Sequence, residues 1–298
     1  MSEQSKTLAK IAADVEAQLP GDGLFNTALE HVMLYRESNA TRDDHQIYEP
    51  VLIFSVQGKK RVEINGQRFA YAPGQLFGVF MPMAMVCEML DVSAEKPMLA
   101  VGVRIARERL ARLLLKMDNI APAPAVRACE DQSGVLMSSV SEAMLDAIAR
   151  LVRTLSDPLE ASVVGDAIVD EIYYRMLAHE RGGALRLLLQ QQGQMQQIAR
   201  AVEYLTNNLT RNVSIDELAE QAHMSSSGFH KKFKQVMHVS PLQYIKSIRL
   251  NRARMFILEG AKANEACYRV GYNSPAQFSR EYKRQFGCAP SMTDPMTA

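Results

Sequence analysis

The chain has 298 residues, 47% hydrophobic and 22% charged, a globular balance that excludes a disordered or fibrous protein and favours two domains over one core. The net charge of +1 is unevenly spread: from Gln194 onward 14 Lys/Arg stand against 8 Asp/Glu, a net of +6, whereas the first 193 residues carry 20 against 25, a net of −5. An acidic body joined to a basic C-terminal part suits a nucleic-acid reader attached to something that should not bind DNA. The four Cys (87, 129, 267, 288) lack paired or CxxC spacing, which points to reduced thiols. No signal sequence and no apolar run of about 18 residues is present, so no membrane partner and a cytoplasmic location are expected.

In chain order, Lys6–Gln18 reads as an amphipathic helix ended by Pro20-Gly21. Strand texture follows at 31–36 and 51–56, then in a hairpin whose arms, Arg61–Ile64 and Gln67–Ala70, flank Asn65-Gly66. Pro73-Gly74 turns the chain into Gln75–Met81, and Met85–Leu90 and Met98–Arg104 complete the set. Short strands separated by Gly/Pro turns predict a small β-barrel or sandwich. No His occurs between Gln46 and Ala178, and His31 and His45 lack ligand spacing, so no metal is expected. GxSxG, P-loop, HExxH and GxGxxG motifs are also missing, which leaves no catalytic residue or cofactor to assign and makes the strand region a receptor rather than an enzyme. Cys87 and the Met cluster (81, 83, 85, 89) read as core filling, the alternative for Cys87 being contact with an electrophilic effector.

Helical periodicity covers Arg107–Met117, Val135–Leu155 and Val163–Ala178. These helices suit a homodimer interface, with padding of the barrel as the alternative. Gly182-Gly183, a short Leu185–Leu189 helix and the Gln-rich run Gln190–Gln197 then predict a connection. The expected division is therefore 1–185, a linker at 186–197, and a helical domain at 198–298.

Within the last hundred residues one pattern occurs twice. Phe229-His230-Lys231-Lys232-Phe233-Lys234 returns 49 residues later as Phe278-Ser279-Arg280-Glu281-Tyr282-Lys283; the same offset sets Ala222-His223-Met224 on Gly271-Tyr272-Asn273 and Leu218 on Cys267. Ser214-Ile215-Asp216-Glu217 is a capping box, and Ser240-Pro241 and Ser274-Pro275 place Pro at the first helical position. Seven short helices fit between about Ile198 and Pro290. Burying Phe229 and Phe233 exposes Ser227, His230, Lys231 and Lys234, and the second unit exposes Ala276, Ser279, Arg280 and Lys283. Two helices with basic outer faces suit adjacent major grooves, which repeat every ~34 Å along one side of the duplex. Gly228, inside the first of these helices, reads as a place of close backbone approach.

Ser240-Pro241-Leu242-Gln243-Tyr244, Arg249-Leu250, Val270-Gly271-Tyr272 and Gln277 through Arg284 resemble the DNA-binding domain of the AraC/XylS family. The resemblance implies a double helix-turn-helix domain in which Ser227, His230 and Lys231, then Ala276, Ser279 and Arg280, read bases. His238 stands where that family usually has Gly, at a helix end that favours the left-handed conformation. Tyr48-Glu49-Pro50 through Gly74, with Leu99–Arg104, is similar to the cupin-like sensor domain of one branch of the family. The implied fold is α+β, an N-terminal cupin-like barrel with flanking helices and an all-α C-terminal domain. The implied function is a sequence-specific transcription regulator, activator or repressor, controlled by a small-molecule effector and working with RNA polymerase on double-stranded DNA. Two other readings stay open: a metal-free cupin enzyme with a DNA-binding tail, and a constitutive DNA-binding protein whose barrel only dimerises.

Overall fold

The computed structural model describes residues 2–41, 44–64, 66–120, 134–178, 194–211 and 213–293. Helix α1 (Glu3–Glu16) starts where the Ser2 side chain accepts from the Ser5 amide, and its buried stripe of Leu8, Ile11, Ala12 and Val15 covers strands of the larger sheet. Strands β1 (Gly23–Asn26), β2 (Val32–Glu37), β3 (Asp44–Tyr48), β4 (Val51–Gln57), β5 (Lys59–Ile64), β6 (Gln67–Tyr71), β7 (Gln75–Val79), β8 (Met83–Leu90) and β9 (Met98–Arg104) follow, then α2 (Arg107–Ile120) and β10 (Val135–Ser139). Every pairing is antiparallel. One sheet runs β1-β2-β9-β4-β7-β10 and the other β3-β8-β5-β6.

The expected closed barrel is not what forms. Strand β7 pairs with β4 on one edge and with β10 on the other, so the edge that a barrel would offer to the second sheet is already taken. The sheets instead meet face to face, with Tyr71 of β6 stacked on Phe77 of β7 at 5.1 Å between ring centroids. The α+β layout stands.

The helix expected over Val135–Leu155 also divides. Residues 135–139 pair with β7, and Ser141 then caps α3 (Glu142–Thr154) by accepting from the Met144 amide. A helical turn at Pro158–Glu160 and a π-helical stretch at Ala161–Gly165 lead into α4 (Asp166–Ala178). The predicted Leu185–Leu189 helix lies outside the described residues.

The C-terminal helices are α5 (Gln194–Asn207), α6 (Ile215–Gln221), α7 (Ser226–Met237), α8 (Pro241–Leu258), α9 (Ala263–Arg269) and α10 (Pro275–Phe286). Among the described residues six helices thus stand where seven were expected, and a 3-10 turn at Pro290–Met292 follows them. Helix α5 begins at Gln194, so the last residues of the Gln-rich run are helical rather than linker.

Burial divides this half unequally. One core cluster runs from α1 through both sheets, α3 and α4 and on into α5, α6, α7 and the first half of α8. A second cluster holds Leu250, Ala253, Ala266, Cys267, Val270, Tyr272, Phe278 and Tyr282. The first helix-turn-helix unit thus shares its core with the sheets; the second has its own.

Candidate nucleic-acid interface

Each unit is fixed by caps that the sequence announces. Ser214 accepts from the Glu217 amide while the Glu217 carboxylate accepts from the Ser214 amide, the two halves of a capping box. Ser225 caps α7 through the Gly228 amide and Ser274 caps α10 through the Gln277 amide. A Cβ at Gly228 would stand 3.1 Å from Ser225 Oγ, so this glycine leaves room for the cap itself.

The two units differ by one residue in the turn. Met224 N donates to Ala219 O and Tyr272 N to Cys267 O; Leu218 and Ala219 are buried as are Ala266 and Cys267; His223 and Gly271 both have positive φ. These equivalences have an offset of 48. From the caps at Ser225 and Ser274 onward the offset is 49, so the second turn is one residue longer, and the uniform alignment expected over the first helices is corrected accordingly. Gly271, at φ 80°, lies so close to the chain that an added Cβ would be 2.7 Å from Leu209 O.

Helix α7 buries Phe229, Phe233, Val236 and Met237, and α10 buries Phe278 and Tyr282. Ser227, His230, Lys231 and Lys234 are exposed on the first helix; Ala276, Ser279, Arg280 and Lys283 are exposed on the second. Lys232 is buried instead, its Nζ donating to Gln235 Oε1 at 3.1 Å, and burial lowers its pKa. Behind α10, Glu281 accepts from Tyr272 Oη at 2.8 Å, Lys246 Nζ at 3.0 Å and Gln277 Nε2 at 3.3 Å. Burial pushes the Glu281 carboxyl up, but these donors outweigh it and hold its pKa below the ordinary value. His238 ends α7 at φ 60°, the left-handed conformation that favours Gly, with its ring 6.1 Å from that of Phe69 on β6.

The first unit is bound into the sheets by backbone as well as side chains. Gly134 N donates to Val236 O at 2.8 Å, and Tyr244 Oη donates to Pro82 O at 2.7 Å. The second unit meets the smaller sheet through His45, whose ring lies edge-on to Phe286 at 5.3 Å, and through Arg254, which donates to His45 O at 3.3 Å.

Between the sheets and α8 lies a cavity of about 530 Å³. Its walls combine Met33, Ile53 and Met98 with Tyr35, Tyr48 and Lys60, and α8 supplies Arg252 and Arg254. Sequence reading assigned none of these. The signal was the period-2 alternation of β5, in which Val62 and Ile64 point inward and carry Lys60 with them. Cys87 and the four Met residues are buried as core. Burial pushes the Cys87 thiol up, and its Sγ lies 3.6 Å from Tyr48 Oη. Among the described residues no cluster of His, Cys, Asp or Glu fits a metal ion, and no helix is long and apolar enough to cross a membrane.

Two family models match the chain: the AraC-type transcriptional regulator N-terminus over residues 28–184 and a helix-turn-helix domain over 218–294. Among solved structures, apo ToxT of Vibrio cholerae strain SCE256 is similar with a TM-score of 0.60 at 12% identity, covering 89% of this chain and 97% of that one. Its unsaturated fatty acid-bound wild-type form gives 0.59 at 14% identity, covering 87% and 92%. Among curated relatives, the virulence regulon transcriptional activator VirF of Yersinia enterocolitica is 22% identical over 178 residues, 59% of this chain and 62% of its own length. The probable transcriptional regulator LumQ of Photobacterium leiognathi is 30% identical over 89 residues, 30% of this chain and 36% of its own. The match thus spans less than two thirds of either relative. With its N-terminal model matched over more than half of the sequence, the chain belongs to the AraC-type transcriptional regulators.

Proposed function

We propose that the protein is a sequence-specific regulator of transcription that binds double-stranded DNA through its two helix-turn-helix units and is controlled by a small-molecule effector. The observation that carries this reading is the duplication itself: two Ser-capped helices, each with an aromatic buried face and a polar, basic exposed face, inside the matched helix-turn-helix domain. Ser227, His230 and Lys231 read one stretch of base edges; Ala276, Ser279 and Arg280 read the next, where Ala276, with no hydrogen bond to offer, either meets a thymine methyl or leaves the second helix reading less. Lys234 and Lys283 neutralise flanking phosphates. The region up to residue 185 is the sensing unit and the region from 198 the reader; a homodimer, contact with RNA polymerase and a cytoplasmic location complete the reading.

The effector site is the cavity between the sheets and α8. Its position supports control, because its walls come both from the sensor and from the helix that links the two readers. A ligand there shifts regulation only by favouring one arrangement of these parts over another. Gel-shift titration across a salt series tests DNA binding: affinity for a selected site falls linearly in a log–log plot, and a flat salt response rejects phosphate-anchored binding. The reading in which the sensor only dimerises is tested by thermal-shift screening of metabolites: a stabilising compound excludes it.

A further inference from the structure

Helix α8 passes from one core to the other without a break. Tyr244, Ile245 and Ile248 belong to the cluster shared with the sheets, Leu250 and Ala253 to that of the second unit, and Arg249 stands at the changeover. Arg249 is only 8% exposed. Its Nη2 donates at 2.5 Å to Arg211 O, in the connection between α5 and α6. The same nitrogen lies 3.3 Å from where a Cβ on Gly271, in the turn of the second unit, would stand. That turn is itself set against the first unit's connection, since the same Cβ would fall 2.7 Å from Leu209 O and 3.1 Å from Thr210 O. One guanidinium therefore lies between backbone of the first unit and backbone of the second.

Burial works against this charge and lowers its pKa, and among the described residues the Arg249 Nε has no hydrogen-bond partner. A cation held in this way is a poor device for stability, because a well-packed apolar side chain of similar volume serves as well or better. What it offers is direction: a planar fork fixes the distance and angle of the groups around it, as apolar packing does not. Lys246 and Tyr272 both donate to Glu281 and so tie α10 to α8, whereas the Arg249 bond reaches across to the first unit. We propose that Arg249 is a positioning residue for DNA recognition, the joint that sets the spacing and rotation between the two helix-turn-helix units; this deepens the reading of both units as base readers on one duplex and rests on it. Each base pair inserted between two elements of a site carries the second ~3.4 Å along the duplex and ~35° around it, so a rigid pair of units accepts one spacing.

The test is competition binding of the full chain to the site selected from genomic fragments and to versions with one base pair inserted or deleted between its two elements. The wild type loses about tenfold or more in affinity at either altered spacing, the worth of forfeited base contacts. In Arg249→Met that penalty falls several-fold, while the base preferences within each element, read with single-base variants, stay as in the wild type. Arg249→Lys, which keeps a donor but not the planar fork, gives an intermediate penalty and carries the test should the Met variant fail to fold. A spacing penalty equal to that of the wild type in these variants, even beside a uniform loss of affinity, overturns the joint and leaves the two-unit reading intact. A wild type that accepts every spacing alike, or a selected site with a single element, overturns the two-unit reading and this proposal together.

Discussion

A guanidinium can hold guanine O6 and N7 at once, whereas an ammonium offers a single adaptable point of contact. Arg280 and Lys231 are exposed on their helices, so the same truncation is expected to have different consequences at the two positions. Arg280→Ala costs ~1–3 kcal/mol at the preferred site and relaxes one base position, measured by competition binding against single-base variants. Lys234→Ala or Lys283→Ala weakens binding to all sequences alike and lowers the salt slope by about one. His238 offers a stability test at the same scale. It holds φ 60° with a side chain that packs against Phe69, so His238→Ala keeps the left-handed strain and loses the ring contact. In urea melts His238→Gly is expected to be more stable than His238→Ala by ~1 kcal/mol, the cost of that conformation for a residue with a Cβ.

The helix-turn-helix units were legible in sequence because several independent signals agreed: Ser caps, Pro at the first helical position, and Phe229, Phe233, Phe278 and Tyr282 at helical spacing. The extra residue in the second turn was not, since shifting the first helices by one position still sets apolar residue on apolar residue, Leu218 on Ala266 or on Cys267. Strand β10 was missed for a related reason. Val135, Leu136, Val140 and Met144 fit a helical face, and only pairing with β7, fixed by tertiary structure, selects the extended form of 135–139. Lys60 was readable from the alternation of β5 but a lone lysine in a strand gives no reason to be singled out until a cavity surrounds it. The second unit should behave as a separately breakable element, because it has its own core. Gly271→Ala sets a Cβ against Leu209 O and strains a positive φ, so it is expected to cost ~1–3 kcal/mol, seen as lost hydrogen-exchange protection in 263–286 while the sheets stay protected. Glu281 gives that unit an acid-sensitive joint. Its folded pKa lies below its ordinary value of 4.5, so its contribution is complete above about 4.5 and is lost as pH falls through the lowered folded value. Acid melts of the second unit should therefore steepen below pH 4.5, and Glu281→Gln should remove that added slope.

At the scale of the molecule, the two helix-turn-helix units are held differently. The first unit shares a continuous core with the sheets and is tied to them by Gly134–Val236 and Tyr244–Pro82. The second hangs on α8 and touches the smaller sheet through Arg254, His45 and Phe286, beside the cavity. A ligand under α8 would be placed to alter how the second unit sits relative to the first, which is the proposed form of effector control. The proposed regulation requires both units to address one duplex. Genomic fragments selected by the full chain, and again by Lys231→Ala and Arg280→Ala, are expected to yield a site with two elements about one helical turn, ~10 base pairs, apart. Lys231→Ala relaxes one element and Arg280→Ala the other. Absence of any enriched site, or relaxation of the same element by both substitutions, would contradict it.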